Sequence, residues 1–250
     1  MALKKSNFIF LLLAIVFYYL LAFFGFLLLK QFGILYYENK IHIYAIPMML
    51  LISAYVYLLN ERKIFRGEDF RPKKEHFGLF LIPYITVAVV VATLIEAIIT
   101  QRSLLDVVCM AFLTFLIGIS EEGMFRLFLL KNCGSSLKNR IALLFFSAIA
   151  FSALHMMNIG GGLSFEAALT QSIAAFPFGL VAGFLFLQTG NISSLVFWHM
   201  FIDFNLFITQ LGFFLSATIL GFIVDIVMIA VFLRCIIHIF VGYVRSFTAN

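Results

Sequence analysis

Charged side chains are scarce in this chain. Asp, Glu, Lys and Arg make up 12% of its 250 residues, and hydrophobic residues make up 64%. Soluble domains carry roughly a quarter charged residues, so a water-soluble globular protein is excluded. Cysteine is scarce as well: Cys109, Cys133 and Cys235 lie far apart, with no CxxC or Cys/His spacing. That excludes a disulfide framework and a zinc knuckle. Long polar stretches are missing except for residues 60–76, which leaves no room for a separate soluble domain. An A-x-A cleavage site is also missing from the first apolar run, 7–29, which is longer than the h-region of a signal peptide. It reads as a retained first span.

What is present is a series of apolar runs of transmembrane length, about 20 residues each. They fall at about 7–29, 41–59, 79–99, 104–130, 141–157, 165–187, 193–211 and 214–241, with no polar break between the last two. The expectation is an all-α, polytopic membrane helix bundle of about eight spans, forming one integral membrane domain over residues 1–250. The net charge of +5 follows from topology. With the N-terminus in the cytoplasm, Lys4, Lys5, Arg62, Lys63, Arg66, Arg71, Lys73, Lys74, Lys131, Lys138, Arg140, Arg234 and Arg245 fall on the cytoplasmic side, and only Lys30, Lys40 and Arg102 fall outside. This asymmetry sets both termini in the cytoplasm. The basic charge therefore calls for a lipid bilayer and not for a nucleic acid. Short loops and abundant Phe, Ile and Lys point to a bacterial cytoplasmic membrane.

Against so apolar a background, each ionisable residue inside a span marks a candidate functional site. These are Glu96, Asp106, Glu121, Glu122, Arg126, His155, His199, Asp203, Asp225 and His238, with Glu166 at a span edge. Glu96 and Asp106 flank a short external turn and reach interface water, and His238 is near a cytoplasmic end. Asp225 lies mid-span with no partner nearby in sequence and is expected to hydrogen-bond across helices.

Glu122 and Arg126, in Ser120-Glu121-Glu122-Gly123-Met124-Phe125-Arg126, stack at i,i+4 on one helical face. The adjacent Glu121 points about 100° away, so one carboxylate is structural and the other is free. His155 ends Phe151-Ser152-Ala153-Leu154-His155, one turn after a phenyl ring on the same face, and taken alone it suits a hydrogen-bonded packing histidine better than a functional one. His199 and Asp203 form a second i,i+4 pair, in which the carboxylate can orient the imidazole or simply join two helices. A rise of about 1.5 Å per residue puts Glu121 roughly 13 Å, His199 roughly 9 Å, Asp203 roughly 15 Å and His155 roughly 21 Å from the cytoplasmic ends of their spans. The four groups are thus expected in one layer, opening toward the cytoplasmic half, as a hydrolytic site.

At these residues the chain resembles the CAAX protease and bacteriocin-processing family of intramembrane proteases, which includes type II CAAX prenyl endopeptidases and bacterial Abi-domain proteins. The family's EExxxR, FxxxH and HxxxN/D motifs correspond to Glu121 to Arg126, Phe151 to His155 and His199 to Asp203, in that order. The resemblance covers a protease-like core of about 104–211. It implies that Glu121 is a general base, that His155 helps hold and activate a water, and that His199 with Asp203 faces the scissile carbonyl oxygen. Glu122 and Arg126 would support the site. The prenyl-protease version carries Asn where this chain has Asp203. An ionised aspartate cannot donate to an oxyanion, so Asp203 is protonated, orients His199, or binds a metal. Glu121, His155, His199 and Asp203 are candidate ligands for a divalent metal such as zinc, and the family has been described both as metal-dependent and as glutamate-type, without metal.

HExxH, GxGD and GxSG motifs are absent, which removes the zincin, aspartyl and rhomboid-type alternatives. The expected activity is endopeptidase cleavage of a peptide or membrane-tethered substrate, such as a bacteriocin or pheromone peptide. The alternative is a non-catalytic membrane immunity or regulatory protein that binds a peptide or membrane-protein partner. A proton-linked transporter is disfavoured because no internal repeat is evident.

Overall fold

The computed structural model describes residues 5–36, 40–60, 77–131 and 137–213, together with helical positions 226, 230, 233, 237 and 241. Every regular element among the described residues is helical. The α-helices are α1 (Lys5–Gln31), α2 (Ile41–Tyr44), α3 (Ile46–Leu59), α4 (Phe77–Ile99), α5 (Leu104–Glu122), α6 (Leu137–Leu154), α7 (Phe165–Thr189) and α8 (Ile192–Gln210). A π-helical stretch, Gly123–Phe128, continues α5, and a 3-10 stretch, His155–Gly161, continues α6. Among these residues six helices are long and apolar enough to cross a membrane. Large side chains such as Leu13, Phe24, Leu51, Ile98 and Ile173 stay exposed on their outer faces, as a lipid-facing surface requires.

Two expected spans need comment. The run 41–59 divides at Ala45 into α2 and α3, and Pro47, which has no amide hydrogen to donate, sits in the first turn of α3. With 14 residues, α3 extends about 21 Å at 1.5 Å per residue, less than the ~30 Å hydrocarbon core. The expected eighth span, 214–241, and with it Asp225 and His238, lies outside the described residues apart from the helical positions already given. α8 itself is closed by Gly212 at φ +82°. Gly212 N donates to Thr209 O and Phe213 N to Ile208 O, the paired bonds that close a helix at a left-handed glycine.

Local capping starts the other helices where the sequence turns polar. Ser103, Ser164 and Asn191 each accept a backbone N–H three residues on, at the starts of α5, α7 and α8.

The helix ends sort into two faces. At the end where α3 and the π-helical stretch finish and α1 and α6 begin, the Phe10 and Phe128 rings meet at 5.9 Å and Arg140 donates to the Leu187 carbonyl at 2.8 Å. At the opposite end, Tyr36 N donates to Gly161 O at 3.0 Å, Arg102 donates to the Leu211 carbonyl, and His42 Nε2 pairs with Asp106 Oδ1 at 3.1 Å. The Asp106 side chain is one-third exposed there. Glu166 is exposed in the first turn of α7, and Glu96 is partly exposed on α4.

α5 is the central helix, packed against α3, α4 and α8, while α6 packs on α7 and α1 on the 3-10 stretch. Gly118 sets the closeness of α5 to α8: a Cβ there would lie 2.6 Å from the Val196 carbonyl oxygen. A single turn beyond that approach stand Glu121 and Glu122.

Candidate active site

The two adjacent carboxylates do diverge. Glu122 is fully buried and faces Arg126, whose Nε lies 3.1 Å from Glu122 Oε2. The charges are close, but the N–H groups are poorly aligned for hydrogen bonding, and all three guanidinium nitrogens lack a hydrogen-bond partner. Arg126 lies within the π-helical turn that continues α5 from Gly123. The guanidinium lies instead over the Phe151 ring, 4.3 Å from its centre, with Phe178 at 5.6 Å, a stacked cation in apolar surroundings.

Side chains from neighbouring helices hold the π turn. Asn60 Nδ2 donates to Gly123 O at 3.0 Å and to Val56 O at 2.9 Å, and Ser147 Oγ donates to Phe125 O at 2.7 Å. These donors satisfy carbonyls that a widened turn presents to its surroundings. Asn60 begins the polar loop in the sequence, and nothing in its spacing assigns it this task.

Glu122 has a second partner. His199 Nδ1 lies 2.9 Å from Glu122 Oε1. A paired carboxylate accepts, so Nδ1 carries the hydrogen and Nε2 is the nitrogen turned to the cavity. That nitrogen faces Asp203 Oδ2 at 3.4 Å and Glu121 Oε2 at 3.7 Å. The i,i+4 pairing of His199 with Asp203 is thus present, but Glu122, from another helix, sets the imidazole's orientation through Nδ1. Glu121 Oε2 is buried and has no hydrogen-bond partner.

His155 stands where α6 tightens into the 3-10 stretch. Its Nδ1 lies 3.3 Å from the Phe151 carbonyl, which can only accept, so Nε2 is left as an acceptor. Phe151 is the hub between the imidazoles, with its ring 5.4 Å from that of His155 and 5.7 Å from that of His199. Phe178 covers His199 from the other side at 5.0 Å, a contact with no signature in the sequence. On the α1 side, Tyr18 donates to Ser120 Oγ at 3.2 Å.

Glu121, His155, His199 and Asp203 all line one cavity of about 110 Å³, several times the space one water needs. Its walls come from α1, α2, α3, α5, α8 and the 3-10 stretch, and away from these four groups they are mainly apolar, including Met49, Ile52, Leu113, Ile117 and Phe207. Toward the C-terminal end of the π-helical stretch the described residues pack solidly. On that side Met124, Phe125, Arg126, Leu129 and Leu130 are fully buried, and the lining runs the other way, to Tyr36, Ile41, Met110 and Leu211.

Among the described residues no three His, Cys, Asp or Glu side chains are gathered to hold an ion, and His199 commits Nδ1 to Glu122.

Comparison with known proteins gives one match. The family described as Type II CAAX prenyl endopeptidase Rce1-like matches residues 78–205. No curated protein and no solved structure matches. The matched stretch runs from α4 into α8, takes in about half of the chain, and contains Glu121, Glu122, Arg126, His155, His199 and Asp203. With these residues gathered at one intramembrane cavity, the chain belongs to the Type II CAAX prenyl endopeptidase Rce1-like family of membrane proteases.

Proposed function

We propose that this protein is an intramembrane endopeptidase in which Glu121 activates water for attack on a peptide bond, without a resident metal. The observation that carries this is Glu121 Oε2, buried, without a hydrogen-bond partner, and 3.7 Å from His199 Nε2 on the wall of the cavity. A water there gives one hydrogen to Glu121 and the other to His155 Nε2, which fixes its lone pair toward the scissile carbon. Glu121 takes a proton as hydroxide adds to the carbonyl, and returns it to the leaving amine as the C–N bond breaks. The developing oxyanion needs a donor opposite the base. That donor is a hydrogen held between His199 Nε2 and Asp203 Oδ2, so Asp203 serves by keeping a proton at the imidazole and not as an ionised acceptor facing the oxyanion. Glu122 and Arg126 hold His199 and the backbone beneath it.

Donor placement supports a metal-free route, because among the described residues no three ligands converge. Short connections between apolar runs and the Phe- and Ile-rich composition support a bacterial cytoplasmic membrane, with bacteriocin-like or pheromone-like peptides as substrates. The test is reconstitution with membrane-tethered peptides. Glu121→Gln is expected to lower the cleavage rate by about 10²–10⁴-fold, the usual contribution of a general base, in a protein that still folds. Equal cleavage by wild type and variant removes Glu121 from the reaction.

A further inference from the structure

Besides its four central groups, the cavity is lined by four further polar side chains, Tyr18, Tyr36, His42 and Asn158. Tyr18 is engaged with Ser120 and His42 with Asp106. Asn158 stands apart by its position and by what it leaves unused. It follows His155 by three residues in the 3-10 stretch His155–Gly161, where three residues make one turn and positions i and i+3 eclipse. At about 2.0 Å per residue, Asn158 therefore stands about 6 Å beyond His155 on the same face.

The Asn158 amide is clamped. Its Nδ2 donates to Tyr36 Oη at 3.1 Å and to Gln171 Oε1 at 2.9 Å, which uses both hydrogens. Tyr36 is fixed in turn by its own N–H, which donates to Gly161 O at 3.0 Å. Oδ1 is left without a partner among the described residues, on a residue only 7% exposed. A buried carbonyl oxygen on a cavity wall calls for a donor from whatever fills the cavity.

We infer that Asn158 Oδ1 accepts a backbone N–H of the bound peptide, about two residues from the bond that is cut. That the occupant is a peptide rests on the proposed endopeptidase activity. An extended segment makes no hydrogen bonds within itself, so inside a membrane cavity its N–H groups need acceptors from the protein. The step from His155 to Asn158 spans about two residues of extended chain at ~3.3 Å each. With His155 at the water and Asn158 at an amide two residues along, the carbonyl to be attacked is set in register. The contact reads the main chain, so it tolerates varied side chains there but excludes proline, which has no N–H.

The test pairs single-atom changes in the peptide with changes at Asn158. Membrane-tethered apolar peptides are bound to the full-length Glu121→Gln protein in detergent micelles, and each backbone N–H in turn is replaced by an ester oxygen. One replacement, about two residues from the bond that the wild type cuts, is expected to weaken binding about three- to tenfold, the usual worth of one hydrogen bond. In Glu121→Gln/Asn158→Ala the same replacement should have less than about a twofold effect, while replacements elsewhere keep theirs, a pattern that a merely structural role for Asn158 would not produce. Asn158→Asp keeps an acceptor and should keep the loss, so the inference remains testable if the alanine variant does not fold. Equal losses with and without the Asn158 side chain, or no ester-sensitive amide near the cut, overturn the inference, and a panel in which no peptide binds overturns it together with the endopeptidase reading. Cleavage separates the two: if Glu121→Gln lowers cleavage but no amide couples to Asn158, the endopeptidase reading stands and this contact fails. If cleavage is indifferent to Glu121 and an amide still couples to Asn158, the contact stands alone.

Discussion

Glu122→Gln is expected to destabilise the protein severely, and removing the facing charge as well is expected to restore it. Arg126 is wholly buried, with Nε 3.1 Å from Glu122 Oε2. At that separation the attraction is about 5 kcal/mol for an effective dielectric constant near 20, and breaking a buried pair by removing one partner typically costs about 3–5 kcal/mol. The Phe151 ring beneath the guanidinium contributes ~2 kcal/mol when desolvated, too little to replace a carboxylate. Glutamine keeps the shape and an acceptor for His199 Nδ1–H, so the loss reads the missing charge and not a cavity. Arg126→Met alone leaves Glu122 with its bond to His199 and should cost less. In the double variant Glu122→Gln/Arg126→Met no charge is stranded, and most of the loss should return. Denaturant unfolding of the four proteins in detergent micelles forms a double-mutant cycle, with an expected coupling of about 3 kcal/mol. A double variant no more stable than Glu122→Gln, with coupling near zero, would refute the assignment of Glu122 as the counter-charge that keeps Arg126 inside.

Gly118→Ala places a methyl group 2.6 Å from the Val196 carbonyl oxygen, and this overpacking should cost about 1–3 kcal/mol; an unchanged unfolding midpoint would mean that α5 and α8 separate freely. Asn60→Ala removes the donor to Gly123 O and Val56 O, at about 0.5–1.5 kcal/mol for each hydrogen bond lost, and Asn60→Asp should fail to rescue because a carboxylate cannot donate. Equal stability of all three proteins would remove Asn60 as a support of the π turn. Cleavage of a tethered peptide should survive EDTA and phenanthroline, with less than one metal ion per chain by elemental analysis; loss of activity reversed by added zinc would make the reaction metal-dependent.

Much of the site was legible because lipid makes polarity informative. Helical periodicity paired Glu122 with Arg126 and His199 with Asp203, and span order brought three helices together around one layer. A period cannot say what lies across a helix interface. The bond from Glu122 to His199 joins residues 77 positions apart, and neither motif requires it. The packing of Phe178 on His199 and the support of the π turn by Asn60 are tertiary facts of the same kind. The break of 41–59 near Pro47 had a local cause visible in the chain, but hydrophobicity alone reads through it. The end of α8 was likewise marked by Gly212, which an analysis of polar breaks passes over.

The adjacent carboxylates show why a site of this kind needs more buried charge than its chemistry uses. A base with an unpartnered oxygen is useful only if nothing nearby neutralises it, yet the imidazole opposite must be held still in a medium where polar groups find few partners. Two successive residues on one helix resolve the conflict through their angular separation. Glu122 turns to Arg126 and His199 and is consumed by them. Glu121 is left with an oxygen that no protein group satisfies. Arg126 is the counterpart this requires, since a carboxylate that orients a histidine inside a bilayer needs a cation to stay ionised. The cation in turn is kept from the free carboxylate by the widened turn and by the face of Phe151. Moving the arginine by one residue would turn it about 100° around the helix and away from that ring, so the spacing in EExxxR is a geometric condition for keeping one of the two glutamates free.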